Sequence, residues 1–222
     1  MLLDVNGVSL QIIVYCADVG SVVNGNFGWA RGNPAEEDTI DSGVDIEEFA
    51  ERLAIDLNSG FHVAVGFECP LFVPLRRHPN DLTKKRDNEG NRPWSAGAGS
   101  GSLAVGLVQL PWILTEVKQR LLSSVMAYLD WKPFPKRDAD LLLWEAFVSG
   151  GARGVDPSAA HAEDAAAAVR RFIECINDLN KRNIITENNV YALAGAALLR
   201  TGWSTDIELL TKPCLVLKAE KG

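Results

Sequence analysis

Three acidic residues stand where a folded chain can gather them. Asp18 closes an apolar segment, Val8 to Ala17 (VSLQIIVYCA), and Glu68 closes a second, Phe61 to Phe67 (FHVAVGF). Asp164 stands in His161-Ala162-Glu163-Asp164-Ala165, near the start of an alanine-dense segment of helical character. His161 and Asp164 are three residues apart, so a helix presents both on one face. A further carboxylate, Glu145, lies within Leu141 to Val148 (LLLWEAFV). Carboxylates drawn together without compensation repel and raise one another's pKa. A hard divalent cation, Mg²⁺ or Mn²⁺, relieves that repulsion, because it takes oxygen ligands and keeps positions for water and phosphate. Two such ions about 4 Å apart can activate a water and stabilise the leaving oxygen of a phosphodiester.

Taken singly, each residue has a plainer reading. An aspartate at a strand end is commonly a turn former. Glu68 precedes Cys69-Pro70 and can cap that loop, Asp164 suits a solvated helix face, and His161 suits a structural place near a helix start. The elements around them decide between the two readings.

Val8 to Ala17 is apolar and rich in β-branched residues, which predicts a buried strand. Asn24-Gly25-Asn26 is a turn signal, so Phe27 to Arg31 reads as a returning strand, with room for a short third strand within Asn33 to Ser42. Val44, Phe49, Leu53 and Leu57 predict an amphipathic helix from Val44 to Asn58, stopped by Asn58-Ser59-Gly60. Phe61 to Phe67 is a strand that delivers Glu68. A helix follows from Leu103 to Leu129, bent at Pro111, then a strand from Leu141 to Val148, a loop from Gly150 to Pro157 and a helix from Ala159 to Arg182. Thr186-Glu187-Asn188 resembles a capped start for a helix to about Arg200, and Pro213 to Ala219 reads as a last strand. A hairpin followed by βα units predicts an α/β fold, with a mixed central sheet of about five strands and helices on both faces.

The length of 222 residues and the 47% hydrophobic content suit one domain over 1–222. That domain carries an insertion at about 69–101 and a C-terminal helical and strand extension at about 183–222. The insertion is charged, rich in Pro and Gly, and too long for an ordinary connection. A net charge of −7 excludes a general polyanion binder, so any nucleic-acid contact needs a local basic patch. The stretch from Glu36-Glu37-Asp38 to Glu51 reads as a solvated acidic face that would repel a duplex. One basic region directly follows Glu68: Arg76, Arg77, Lys84, Lys85, Arg86 and Arg92, against Asp81, Asp87 and Glu89. Two readings stay open there, substrate-phosphate contact through Arg76, Arg77, Lys84, Lys85 and Arg92, or a solvated loop.

No apolar run approaches the roughly 20 residues that span a bilayer, and Met1 to Leu10 lacks the basic residue of a signal peptide. No membrane partner is therefore expected. Cys16, Cys69, Cys175 and Cys214 form no CxxC pair, and a reducing cytoplasm is the default compartment. Trp94, Trp112 and Trp131 suit either an interface, as in a homodimer, or anchors of core and loop. Gly97-Ala98-Gly99-Ser100-Gly101-Ser102 leads into a helix and favours anions there, but it lacks the Lys-Ser/Thr of a P-loop.

The order of elements resembles the ribonuclease H fold, in which the first strand lies beside the strand that follows the first helix. The likeness is sharpest at Asp18-Val19-Gly20, at Glu68, and at the H-x-x-D-A opening of the late helix, His161 to Ala165, which looks like that of RuvC-type resolvases. With Trp144-Glu145 the set is similar to a large, poorly characterised family of RuvC-like cytosolic domains, over roughly residues 8 to 182. The resemblance implies that Asp18 and Glu68 end neighbouring parallel strands, about 4.8 Å apart. It implies Asp18, Glu68 and Asp164 as ligands of Mg²⁺ or Mn²⁺, with Glu145 and His161 as auxiliary catalytic groups and His161 assisting proton transfer. The activity so implied is that of a metal-dependent nuclease or phosphodiesterase, acting on nucleic acid or another phosphate-containing substrate. Two alternatives stand beside it. One is a non-catalytic binding module of the same fold. The other is a nucleotide-binding protein or phosphohydrolase of the actin-like branch, whose first phosphate loop Asp18-Val19-Gly20-Ser21 also resembles. Proteins of that branch normally need a second, duplicated domain, for which 222 residues are too few.

Overall fold

The alternation of side chains along three buried strands divides the interior into two cores. The computed structural model describes residues 11–36, 39–91, 93–134, 140–149 and 157–220. In chain order the strands are β1 (Ile12–Asp18), β2 (Gly28–Gly32), β3 (Ile40–Gly43), β4 (His62–Phe67), β5 (Phe72–Pro74), β6 (Met126–Tyr128), β7 (Asp140–Ser149), β8 (Val190–Ala192) and β9 (Leu215–Glu220). The α-helices are α1 (Ile46–Asn58), α2 (Gly97–Gln119), α3 (Pro157–Cys175), α4 (Leu179–Arg182) and α5 (Leu193–Arg200).

The fold is α/β, with a mixed sheet of seven strands in the order β3-β2-β1-β4-β7 and with β6 and β9 both pairing β7 beyond it. The first hairpin is antiparallel, as is β2 against β3. The pairs β1–β4, β4–β7, β7–β6 and β7–β9 are all parallel. Parallel strands covered on both faces must be apolar throughout, and β1 and β4 are buried at every residue. Successive side chains point to opposite faces. Ile13, Tyr15, Ala17, Val63, Val65, Phe67, Leu141 and Leu143 therefore pack with α1, α2 and α5. Val14, Cys16, Ala64, Leu142, Trp144, Ala146 and Val148 pack with α3. Each large side chain so covered contributes roughly 1.5–3 kcal/mol.

Seven strands rather than about five arise because β6 and β9 extend the sheet at its β7 edge. The expected helix from Leu103 to Leu129 instead runs from Gly97 to Gln119, and β6 takes its place at the end. Pairing with β7 outweighs local helical preference there, helped by the Tyr128 hydroxyl donating to Asp140 Oδ2 at 2.7 Å. The helix expected to reach Arg182 ends at Cys175, where the Asp178 N–H turns back to the Cys175 carbonyl at 2.7 Å, and α4 follows. The helix expected from Thr186 to about Arg200 begins only at Leu193 and ends at Arg200. Glu187 pairs with Arg76 instead, and β8 joins β5 in a separate two-stranded antiparallel ribbon before α5 begins. Residues 8–10, 37–38 and 150–156, which enter the expected strand, acidic stretch and loop, lie outside the described residues.

Helix α2 also corrects the expectation about apolar runs. It has 23 residues and is long and apolar enough to cross a membrane, by length and composition. Small and neutral residues, not a continuous run of large apolar ones, give it that character. One side of it, Leu110, Ile113, Leu114 and Val117, belongs to the protein core.

Candidate metal centre

Strands β1 and β4 end side by side, and their last residues set the site. Asp18 is the final residue of β1. Glu68 follows β4, and its N–H donates to the Ala17 carbonyl at 2.8 Å, which carries the ladder one residue further. Counting by twos, Asp18 continues the Val14–Cys16 row and Glu68 the Ala64–Gly66 row, so both belong to the face that α3 covers. Ligand sites in open α/β sheets form at such carboxyl ends.

Glycine lets α3 come close enough to complete the set. Gly28 on β2 sits opposite Asp18. A Cβ there would lie 2.3 Å from the Ala162 nitrogen and 2.4 Å from the His161 carbonyl carbon. With hydrogen in that place, α3 rests its backbone on β2 and points His161 at Asp18. His161 Nδ1 lies 2.5 Å from Asp18 Oδ2. One turn on, Asp164 joins the two strand-end carboxylates. Asp18, Glu68 and Asp164 each offer an oxygen, and these oxygens all lie within 4.8 Å of one another. Asp18 is buried, Glu68 and Asp164 partly so.

The site opens into a cavity of about 450 Å³ whose lining includes Asp18, Glu68, Glu89, Glu145 and Asp164 against Arg86 and His161. Negative charge therefore dominates it. Two thiols below register the same field. Burial pushes the Cys16 thiol well above its ordinary value, and Glu68 and Asp18 add to the shift. Burial likewise raises Cys69, helped by Glu145, Glu68 and Asp18. Both shifts favour the neutral thiol.

Glu145, expected as an auxiliary catalytic group, has a different task. It stands in the row of Leu141 and Leu143, and so points away from α3 and from the three converging carboxylates. Its oxygens take Arg86 Nη2 at 2.6 Å, Arg86 Nη1 at 2.9 Å and the Leu71 N–H at 2.9 Å. Arg86 also donates Nε to Glu89 at 3.0 Å and Nη1 to the Phe72 carbonyl at 3.2 Å. Burial disfavours the Arg86 charge, but Glu145 and Glu89 outweigh it and hold the guanidinium protonated. The insertion is thus pinned to β7 by a buried ion triad.

That pinning changes the role of the basic region. Arg76 is paired with Glu187 at 2.5 Å. Lys85 Nζ donates to the Gly90 carbonyl at 2.8 Å, and Arg77 and Lys84 are exposed. None of these four lines the cavity, and Arg92 lies outside the described residues. The arginine that does line it, Arg86, is wholly buried and committed to carboxylates. Of the tryptophans, Trp94 anchors the insertion by donating Nε1 to the Lys84 carbonyl at 3.1 Å, and Trp131 packs against the α3-side core. Trp112 is 38% exposed on α2. Ala98, Gly99, Gly101 and Ser102 of the glycine-rich run line the cavity mouth. The sequence reading missed the partnership of Arg86 with Glu145 and the clearance supplied by Gly28. The period-two count along β7 was the available signal for the first, since Glu145 is out of phase with Trp144 and Ala146.

The donor set fits a hard cation. All three candidate ligands are carboxylate oxygens. Oxygens on opposite sides of one Mg²⁺ lie about 4.2 Å apart, twice the bond length of about 2.1 Å. Neighbouring ligands lie about 3.0 Å apart, so side-chain shifts on the order of 1–2 Å bring the three oxygens onto one ion. Fold and site together define an α/β protein with a carboxylate centre at the ends of two adjacent parallel strands. Comparison of the chain with protein-family models, curated proteins and solved structures returned no match.

Proposed function

We propose that this chain is a metal-dependent phosphodiester hydrolase of the ribonuclease H-like, RuvC-like type. The observation that carries the proposal is the convergence of Asp18, Glu68 and Asp164, from positions far apart in sequence, to within 4.8 Å. The strand order β3-β2-β1-β4-β7, with an antiparallel hairpin leading into parallel strands, supports it. So does the excess of negative charge around the triad, which a divalent cation would offset.

In this reading Asp18, Glu68 and Asp164 hold Mg²⁺ or Mn²⁺. A bound ion would supply Lewis-acid polarisation of a phosphoryl oxygen and would make a water more acidic. Asp18 orients the His161 ring through Nδ1 beside the triad, where the imidazole would assist proton transfer. The glycine-rich start of α2 borders the same cavity and keeps substrate backbone close to it. Four buried, free cysteines support residence in a reducing compartment, the cytoplasm.

The test is direct. Purified protein with Mn²⁺ should cleave branched or single-stranded DNA or RNA, and Glu68→Gln should abolish cleavage. Cleavage that persists undiminished in Glu68→Gln would end the proposal. A nucleotide-binding reading draws on the Gly97–Ser102 helix start at the cavity mouth. Nucleotide binding that is indifferent to Asp18→Asn and to divalent ions would favour it.

A further inference from the structure

A second cavity, of about 560 Å³, lies between α3 and β9 and has the opposite character. Its charged lining is Arg170, Arg171, Arg182, Lys218, Glu174 and Glu220. Two internal pairs account for half of the cations: Arg171 with Glu174 at 3.1 Å and Lys218 with Glu220 at 3.0 Å. Arg170 and Arg182 have no ion-pair partner among the described residues. Arg171 Nε also donates to the Lys218 carbonyl at 3.2 Å, which fixes the helix against the strand end. Like charges gathered from three separate segments repel, and an anion relieves that. Guanidinium groups match phosphate oxygens in geometry as well as charge.

The basic cavity adjoins the acidic one. In the β7–β9 ladder Val148 is the register partner of Ala219. Val148 lines the acidic cavity and Ala219 the basic cavity, one strand spacing of about 4.8 Å apart. Both residues face α3. Along that helix, Arg170 lies six residues after Asp164, about 9 Å along the axis and about a third of a turn round it. A stacked strand carries one phosphate per about 3.4 Å of axis, so about three nucleotides bridge that distance.

We infer that the α3–β9 cavity is a phosphate site for the backbone of a substrate strand, held by Arg170 and Arg182 a few nucleotides from the carboxylate centre. The assignment takes its ligand class from the phosphodiester reading above. It gives this acidic chain the local basic patch that its net charge demands, in a place the basic run after Glu68 does not supply.

The experiment measures binding apart from catalysis. A short fluorescent single-stranded oligonucleotide is titrated with the full chain in EDTA, over a range of salt, by anisotropy. The Arg170→Ala/Arg182→Ala variant is compared with wild type and with Lys212→Ala, an exposed site elsewhere. The double variant should bind about tenfold or more weakly, and its plot of log K against log salt should be shallower by about 1.4, two contacts of about 0.7 each. Unchanged affinity and slope would overturn the site. Competition by inorganic phosphate as effective as unlabelled oligonucleotide, at equal phosphate concentration, would overturn the strand assignment. Binding lost in the double variant of a protein that cleaves nothing with Mn²⁺ would leave this site standing and remove the hydrolase reading alone.

Discussion

Arg86 Nη2 lies 2.6 Å from Glu145 Oε1, and both side chains are 1% exposed. This pair joins an insertion that covers the cavity to a central strand that runs beneath it. Taking one member away strands the other's charge in a dry interior. Glu145→Gln should therefore destabilise the fold by about 3–5 kcal/mol. The shift produced by Mn²⁺ in the protein that remains folded should be retained. Urea denaturation with and without Mn²⁺ measures both. A stable Glu145→Gln protein that no longer responds to metal would return this residue to the metal centre.

Asp18→Asn separates repulsion from ligation. An asparagine keeps a polar partner for His161 but removes one of three crowded charges. Without metal, its melting temperature should equal or exceed that of wild type. Saturating Mn²⁺ should raise the wild-type value, by about 2.7 kcal/mol of stability at one hundred times Kd, and leave the variant where it was. Thermal scans with a divalent-ion series decide this. An equal metal response in both proteins would show that Asp18 is no ligand.

Gly28 is the clearance that seats α3. An added Cβ would meet Ala162 nitrogen at 2.3 Å, and backbone cannot yield as a side-chain tip can. Gly28→Ala should cost about 1–3 kcal/mol and, by moving His161 and Asp164 outward, weaken Mn²⁺ binding more than it weakens folding. Calorimetric titration at a temperature where the variant is folded tests the point. Wild-type Mn²⁺ affinity in that variant would mean that α3 is positioned by other contacts.

The buried thiols make stability fall in alkali. Burial, followed by neighbouring carboxylates, holds Cys16 and Cys69 well above the ordinary thiol value of 9.0. Their folded-state pKa is raised, so the contribution is complete below the unfolded value and is lost as pH climbs from there toward the folded one. Urea midpoints should be level up to about pH 8 and decline above about pH 9. In Cys16→Ala/Cys69→Ala that decline should be shallower, whatever the variant loses in packing. Parallel alkaline profiles would show that other groups set it.

Local chemistry made much of the framework readable from the chain alone. The apolar runs ending in Asp18 and Glu68 read as strands because they are short, rich in β-branched residues and bounded by turn signals. Phe49, Leu53 and Leu57 marked α1 by their period. The same reasoning failed where partners distant in sequence decide. Residues 126–128 look helical and pair with β7, and Thr186-Glu187 looks like a helix cap while Glu187 serves Arg76. In both cases a tertiary bond outweighs a preference of a few tenths of a kcal/mol.

By itself, then, the sequence determined which acidic residues would stand at the ends of elements, since strand termini and helix starts are written in short-range patterns. The tertiary structure alone decided which of them share a site. Parity along β7 turned Glu145 to the far face and into the grip of Arg86, while the missing side chain of Gly28 let α3 carry Asp164 to Asp18 and Glu68. Side-chain direction and close approach depend on what packs from elsewhere in the chain, and no local window of residues contains that information.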